Sequence, residues 1–237
     1  MIPCTQCHTE FRRRVNRRNT SVSSRISVVN TDSYLEEAYR LVYRVLVENA
    51  ETDSAARNNL RQLEVKNKKL KTKCHDGFFE AEYPDNYYST LHYTVKATKE
   101  GCEGCDKMLI PIIVRSNDLS ESLKDPFRKP SFEYEEVLVD EAGNSLVLYT
   151  NNEYNISTVL LSYFKKITPV QCPSLSENKS YVNGRGETIS KDVGLEIDYI
   201  FDDIIDLAVL FFLRDVSDNI EMDTQMQKLS LKYKIKI

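Results

Sequence analysis

The chain has 237 residues, of which 41% are hydrophobic and 29% charged, with a formal net charge of −4. This is a globular balance, and the small net charge gives no argument for nucleic-acid binding by the chain as a whole. Its longest apolar run, Leu207 to Leu213, is far shorter than the roughly 20 residues that cross a bilayer. With no signal-peptide pattern at its start, we expect a soluble, cytoplasmic protein whose cysteines are thiols or metal ligands.

Residues 1–31 are rich in arginine and contain one acid, Glu10. This composition predicts a basic N-terminal arm that is partly disordered until a partner orders it. The arginines of the arm could contact DNA phosphates or an acidic protein surface, or they could simply be solvated. The candidate contact residues are Arg12, Arg13, Arg14, Arg17 and Arg18.

A core domain is predicted over residues 32–215, and it opens with a helical hairpin at about 32–66. Ser33 and Glu36 have the spacing of a capping box, which marks a helix start. A second helix is expected after Asp53, with apolar residues at helical spacing behind it. The basic run from Lys66 to Lys73 is interpreted as a solvated loop that leaves the hairpin.

At about residue 78 the spacing of the apolar residues changes from that of a helix to that of an extended strand. Residues 78–170 are therefore predicted to form antiparallel β structure. Pro111 places its short apolar strand at an edge or a bulge, because proline has no backbone N–H to donate to a neighbouring strand. Gly143 and Asn144 suit a tight hairpin turn. The expected strands are Tyr87–Thr98, Met108–Val114, Phe132–Val139, Ser145–Thr150 and Ile156–Phe164.

A last helix is predicted at about 198–214, and its apolar second half must be buried almost all round. Residues 216–237 form a C-terminal extension. From Leu229 to Ile237 apolar residues alternate strictly with serine and lysine, which predicts a terminal strand with a cationic face. The fold class is therefore α+β, with an N-terminal helical hairpin, a central antiparallel β-rich region, a buried C-terminal helix and an extended terminal strand.

Two CxxC pairs are candidate metal ligands, Cys4 with Cys7 and Cys102 with Cys105. Four thiolates on two such turns can make a tetrahedral zinc site. The long separation between the pairs leaves the alternative of unpaired thiols in loops, so zinc is a possible cofactor and no other is expected. Cys74 and His75 are weaker additional candidates.

The acidic motif from Asp202 to Asp206 has the DDxxD spelling of enzymes that bind Mg²⁺ on a helix. Those enzymes need a second acidic helix in an all-helical bundle, which a β-rich chain does not offer. Acids that complement a helix dipole explain the motif better. None of the three histidines accompanies a recognisable nucleophile motif, so we expect no catalytic residues and no enzyme.

The order of landmarks along the chain resembles the ring-forming head–tail neck proteins, or connectors, of crAss-like tailed bacteriophages. The segments that carry the resemblance are Tyr34–Tyr39, Arg57–Leu63, Pro84–Tyr88, Lys124–Ser131, Tyr163–Pro169 and Ile200–Val209. The more specific of them are Asp125-Pro126-Phe127-Arg128-Lys129-Pro130 and Asp206-Leu207-Ala208-Val209. The cysteine pairs are not a feature that we associate with this family.

The resemblance implies a non-catalytic structural protein of the virion, assembled in the cytoplasm of the host bacterium. Its expected partners are copies of itself in a cyclic, commonly twelvefold ring, together with the portal protein and adjacent neck or tail proteins. Packaged DNA would pass through the channel without sequence-specific contact, and no membrane is involved. The alternative from the residues themselves is a zinc-dependent nucleic-acid-binding regulatory protein, which would use the cysteine pairs and the basic arm.

Overall fold

A computed structural model describes residues 1–18, 26–99, 106–115 and 117–216. The helices are α1 (Cys4–Arg18), α2 (Val28–Asn49), α3 (Ser54–Asn59), α4 (Leu119–Lys124) and α5 (Phe201–Val216). The strands are β1 (Glu64–Lys69), β2 (Thr72–Cys74), β3 (Phe78–Glu82), β4 (Tyr87–Thr98), β5 (Lys107–Ile113), β6 (Glu136–Ala142), β7 (Ser145–Tyr149), β8 (Asn155–Lys165), β9 (Tyr181–Val182) and β10 (Thr188–Ile189). This confirms the α+β class.

The chain divides into two compact units. The first consists of the described parts of Met1–Leu63 and Ile167–Ile237, and the second is Glu64–Lys166. The first unit holds α1, α2, α3, α5 and the small β9–β10 hairpin, whereas the second holds the large sheet and α4. Within the described residues, no helix combines the length and the apolar character needed to span a membrane.

Helix α1 corrects the prediction of a disordered arm for residues 4–18. Cys4, Cys7, Phe11 and Val15 recur at helical spacing and are all buried, so this segment has an apolar face that the arginines conceal in the sequence. The Phe11 ring meets that of Phe212 edge-on, with centroids 6.0 Å apart. Residues 19–25 of the predicted arm lie outside the described residues.

Helix α2 begins earlier than the capping-box spacing predicted. Its N-cap is Ser27, whose side chain accepts a hydrogen bond from the Asn30 amide at 3.1 Å. Ser33 lies inside the helix instead, where its hydroxyl donates to the Val29 carbonyl. The N-cap of α3 is Asp53 as expected, because its carboxylate accepts the Ala55 amide at 2.8 Å, but α3 has only six residues.

Helix α5 confirms the predicted buried C-terminal helix. Ile204, Ile205 and every residue from Leu207 to Leu213 are buried, which is the all-round burial that the apolar run demands. Residues 217–237 lie outside the described residues, so the terminal strand stays a prediction.

The second unit is an eight-stranded sheet in the order β1-β8-β4-β5-β6-β7-β3-β2. Strands β4, β6, β7 and β8 contribute to one core, which includes Val95, Val137, Leu148 and Val159. Strands β4 and β8 lie where the sequence predicted them, and the β6–β7 hairpin turns at Gly143, whose φ of 62° suits glycine. All neighbouring strands are antiparallel except β5 and β6.

The expected exit loop from Lys66 to Lys73 is wrong, because all of these residues except Leu70 and Lys71 belong to β1 or β2. Both strands lie at the ends of the sheet order, and their lysines are exposed or nearly so. Exposed lysines are typical of edge strands, where they discourage pairing with another chain. A lysine-rich run therefore looks the same in the sequence whether it is a solvated loop or a protected edge strand.

Candidate functional site

Of the four cysteines predicted to hold zinc, Cys4 and Cys7 lie in the part of the chain that the structure describes. Cys4 forms a disulfide with Cys172, with Cα atoms 5.5 Å apart, so the expectation of thiols or metal ligands is wrong for this pair. Cys7 is a free thiol, and its burial raises its pKa to about 11. Cys102 and Cys105 lie outside the described residues, and the four-cysteine zinc site stays a prediction.

Asp192 adds a possible metal ligand beside the disulfide. One carboxylate oxygen of Asp192 and the sulfur atoms of Cys4 and Cys172 all lie within 4.8 Å of one another. A disulfide sulfur is not a thiolate, so this group could hold zinc only after reduction, when two thiolates and a carboxylate would become available. Neither Cys172 nor Asp192 belongs to a CxxC pair, so neither was predicted as a ligand.

A buried polar network surrounds Asp32 in the same unit. His8 Nε2 lies 2.6 Å from Asp32 Oδ1, and both residues are buried. The other carboxylate oxygen accepts the backbone N–H of Cys172 at 3.0 Å and the hydroxyl of Tyr181. Burial and the adjacent carboxylate raise the pKa of Tyr181, so the phenol remains a neutral donor. The network ties α1 and α2 to the segment around Cys172.

Arg14, one of the predicted contact residues, is instead engaged within the chain. Its guanidinium lies 2.8 Å from Asp206 and also binds the Asp202 carboxylate and, at 2.9 Å, the Asp202 carbonyl. Burial alone would lower the pKa of Arg14, but the hydrogen bonds to Asp206 and Asp202 outweigh it and raise that pKa. The DDxxD spelling therefore marks an intramolecular ion-pair cluster.

The other predicted arginines differ in exposure. Arg13 is exposed and donates to Glu10 at 2.9 Å, and Arg17 is exposed on the last turn of α1. Arg12 is partly buried, and the side chain of Arg18 lies outside the described residues. Arg13 and Arg17 line an open depression with Arg14 and its two aspartates, so they remain candidates for contact with a partner.

Strand β5 carries the main exposed apolar surface of the second unit. The exposed fraction is 60% for Met108, 61% for Ile110, 36% for Ile112 and 70% for Ile113. Leu109 between them is buried in the core. Four exposed aliphatic side chains on one strand are uncommon on a monomer, and they mark an interaction site or an aggregation hazard.

The backbone of β5 changes partner in the middle of the strand. Lys107 to Leu109 pair with β4, whereas Ile110 to Ile113 pair with β6. The amides of Ile110 and Val114 donate to carbonyls of the β6 side at 2.5 and 2.9 Å. Because directions alternate along a strand, the backbone groups of Pro111 and Ile113 point the other way. Among the described strands, none pairs with that side of Pro111 and Ile113.

This open edge explains how Pro111 is accommodated. Proline lacks the N–H that a second neighbour would require, so it fits a position with a partner on only one side. The prediction of an edge position is therefore right for the second half of the strand and wrong for the strand as a whole, which lies inside the sheet order. We call Ile110–Ile113 the open edge of β5.

Charged groups flank the end of the open edge. A shallow depression there is lined by Ile113, by two acids, Asp118 and Glu121, and by two arginines, Arg115 and Arg128. Arg128 also lies 3.6 Å from Asp125, so groups of both charges stand beside the strand end. The sequence signal for this surface was the apolar run interrupted by Pro111, but exposure cannot be read from such a run.

No family model matches this chain, and no curated protein is similar enough to count as a relative.

Proposed function

We propose that the protein is a structural subunit of a tailed-phage virion that forms a ring in the neck between portal and tail. It acts by protein–protein assembly around the DNA channel and not by catalysis. Its partners are other copies of itself, in a ring of twelvefold order, and the portal and adjacent neck or tail proteins. The observation that best supports this proposal is the apolar open edge of β5, since a ring subunit needs a surface that is incomplete until a neighbour covers it.

The ion pairs of α1 bear on how a ring subunit would use its basic residues. Arg14 is held by Asp202 and Asp206, whereas Arg13 and Arg17 remain exposed. Two exposed arginines suit a rim contact with an acidic neighbour or non-specific contact with channel DNA.

The alternative of a zinc-dependent regulator depends on groups that are engaged elsewhere in this structure. Cys4, which the zinc site needs, is bonded to Cys172, and Arg14, which phosphate contact would use, is paired with acids. In a zinc-dependent regulator, the disulfide would have to be reduced before Cys4 could bind zinc.

The test is the oligomeric state of the purified full-length chain, measured by mass photometry and negative-stain electron microscopy over a concentration series. Closed rings without stoichiometric zinc are the expected result. The same preparation should retard DNA fragments of different sequence equally, if it retards them at all. A monomer or dimer that carries stoichiometric zinc and prefers one DNA sequence would replace this proposal by the regulator, and a monomer without DNA binding would overturn both.

A further inference from the structure

We propose that the C-terminal segment of one copy pairs, as an added strand, with the open edge of β5 in the next copy. The inference rests on the proposed function, because it names the contact that would join neighbouring subunits in the ring. It goes further in giving the donor, the acceptor and the direction of the exchange.

The acceptor is defined by backbone and side chains together. Pro111 and Ile113 present a carbonyl, an amide and a second carbonyl on the side that no described strand occupies. Met108, Ile110 and Ile112 alternate along β5 and so share one face, and all three are exposed. An added strand would satisfy the backbone groups and cover this apolar row at the same time, which is the mode of recognition called β-augmentation.

The donor is defined by the sequence beyond α5. The helix ends at Val216, and the chain continues to Ile237. Leu229, Leu231, Tyr233, Ile235 and Ile237 alternate with serine and lysine, so one face of an extended segment is wholly apolar. Residues 217–228 before it could span up to about 40 Å when extended, at roughly 3.3 Å per residue, which is enough to reach a neighbouring molecule.

The two surfaces match in apolar character. If the apolar residues of the donor lie beside Ile110 and Ile112, then Lys232, Lys234 and Lys236 lie on the opposite face of the added strand. Lysines on that face would discourage pairing of the segment with an arbitrary strand edge.

Exchange between copies also gives the type of contact that a ring requires. In this proposal each chain carries one donor segment and one separate acceptor edge, so the contact is heterologous and each copy can bind two neighbours. A self-complementary patch would stop at a dimer. The donor–acceptor pair would continue until the rotation between neighbours closes the ring.

Two full-length variants separate the donor from the acceptor. Leu231→Lys with Tyr233→Lys and Ile235→Lys removes the apolar face of the donor, and Ile110→Lys with Ile112→Lys removes that of the acceptor. A matched control is Val182→Lys, which changes another exposed strand residue, 59% exposed. Circular dichroism first establishes that each variant is folded, and mass photometry then gives the concentration at which it assembles.

We expect either variant alone to need at least about tenfold more protein to assemble than the unaltered chain, the effect of losing about 1.4 kcal/mol of contact energy. Mixed together, the two variants should form a heterodimer and stop, because one intact donor meets one intact acceptor. The Val182→Lys chain should assemble like the unaltered one.

The outcomes separate the two proposals. If the unaltered chain forms rings and both variants do so at the same concentration, the strand exchange is wrong and the proposed function stands. If the unaltered chain does not assemble, the proposed function fails as well.

A photo-crosslinker at Tyr233 in a mixture of isotopically light and heavy chains tests the occupant directly. Crosslinks to β5 that join a light to a heavy chain are expected. Crosslinks confined to single chains would mean that the segment covers its own β5, which would overturn the exchange between copies.

Discussion

In the first unit, a disulfide, the hydrogen bonds of buried Asp32 and the ion pairs of Arg14 join segments that are far apart in the chain. Cys4 and Cys172 are 168 residues apart, and Arg14 and Asp202 are 188 apart. The second unit is held by continuous strand pairing and a core of aliphatic and aromatic residues. The Tyr93 hydroxyl in that core is even buried without a hydrogen-bond partner among the described residues. Hydrogen bonds, ion pairs and a disulfide between distant segments therefore distinguish the first unit. A strand edge that no described strand pairs with distinguishes the second.

The contrast teaches where a partner can bind without cost to the fold. Asp32 and Arg14 in the first unit find their hydrogen-bond and ion-pair partners within the chain. The open edge of β5 has backbone groups that no described strand pairs with, and it has exposed apolar side chains. Changes in the first unit should therefore lower stability, whereas changes at the open edge should affect assembly and leave stability unchanged.

The largest effect is expected from Ala208→Asp in α5. Ala208 is fully buried, and an unpaired carboxylate there should cost about 4 kcal/mol or more in the free energy of unfolding. Asp206→Ala on the same helix is the control, with a cost of at most about 1 kcal/mol, because Asp202 still binds Arg14. Urea denaturation of both variants gives the comparison. Equal losses would contradict the placement of this helix.

Cys172→Ser should cost about 3 kcal/mol through loss of the disulfide, within the usual range of 2–4 kcal/mol. Without the disulfide, we expect faster amide hydrogen exchange in α1 and α2 of the first unit. Amide protection in β4 and β8 of the second unit should stay unchanged. Cys74→Ser, which changes an exposed free thiol, is the control. If protection falls equally in both units, they unfold together and the contrast between them is lost.

Gly194→Ala should cost about 2 kcal/mol, in the middle range for point substitutions. A Cβ at Gly194 would lie 2.1 Å from the Ile2 carbonyl oxygen. The two backbone hydrogen bonds between Ile2 and Leu195 would therefore have to lengthen or break. Gly184→Ala is the control, because nothing lies within 4 Å of its Cβ position. Thermal denaturation should distinguish the two. An unshifted Tm for Gly194→Ala would show that the N-terminal residues contribute little.

Two tyrosine substitutions test the contrast with one chemistry. Tyr181→Phe should cost about 1 kcal/mol, because it removes a donor from Asp32. Tyr93→Phe should be neutral or slightly stabilising, since its hydroxyl has no partner among the described residues. Chemical denaturation at neutral pH measures both. A larger loss for Tyr93→Phe would mean that its hydroxyl has an unrecognised role.

Tyr93 also gives a pH dependence with a definite sign. Burial raises the pKa of Tyr93 from 10.0 to about 12. Ionisation therefore favours the unfolded chain, and the contribution of this residue is intact below pH 10 and lost as the pH rises towards 12. Tyr93→Phe should lose less stability than the unaltered chain across that interval, whereas equal losses would contradict the burial.

The smallest effect on stability is expected from Ile110→Lys at the open edge of β5. The side chain is mostly exposed, so the free energy of unfolding should change by no more than about 0.5 kcal/mol. Val137→Lys on the neighbouring strand β6 is the contrasting change, because Val137 is fully buried. Denaturation curves of both variants test this, and a large loss for Ile110→Lys would mean that the strand is covered within the monomer.

The elements that the sequence predicted well are those whose signal is local. The alternation in β4 and the hairpin turn at Gly143 depend on residues that are neighbours in the chain. The prediction failed for α1, where the arginines hid four buried residues at helical spacing, and for β1 and β2, where lysines suggested a loop. In both cases charge was taken as evidence of disorder, although a helix or an edge strand can carry charge on its exposed face.

The candidate sites were harder to predict than the elements. The CxxC spelling identified Cys4 as a chemically distinctive residue but gave the wrong partner, and the DDxxD spelling identified Asp202 and Asp206 but not Arg14. Asp32 gave no signal at all, because one buried aspartate in a helix has no motif. Its role depends on His8, Cys172 and Tyr181, which come from two parts of the chain that are distant from Asp32 and from each other.

The sequence by itself determined the class of the fold, the buried helix α5 and the positions of the long strands, because apolar periodicity is a property of adjacent residues. It also determined the alternating pattern from Leu229 to Ile237. Only the tertiary structure decided that β5 pairs with β4 in its first half and with β6 in its second half. As a result, no described strand pairs with the other side of Pro111 and Ile113. The physical reason is that a strand edge is completed or left open by residues from elsewhere in the chain, and no local pattern specifies them.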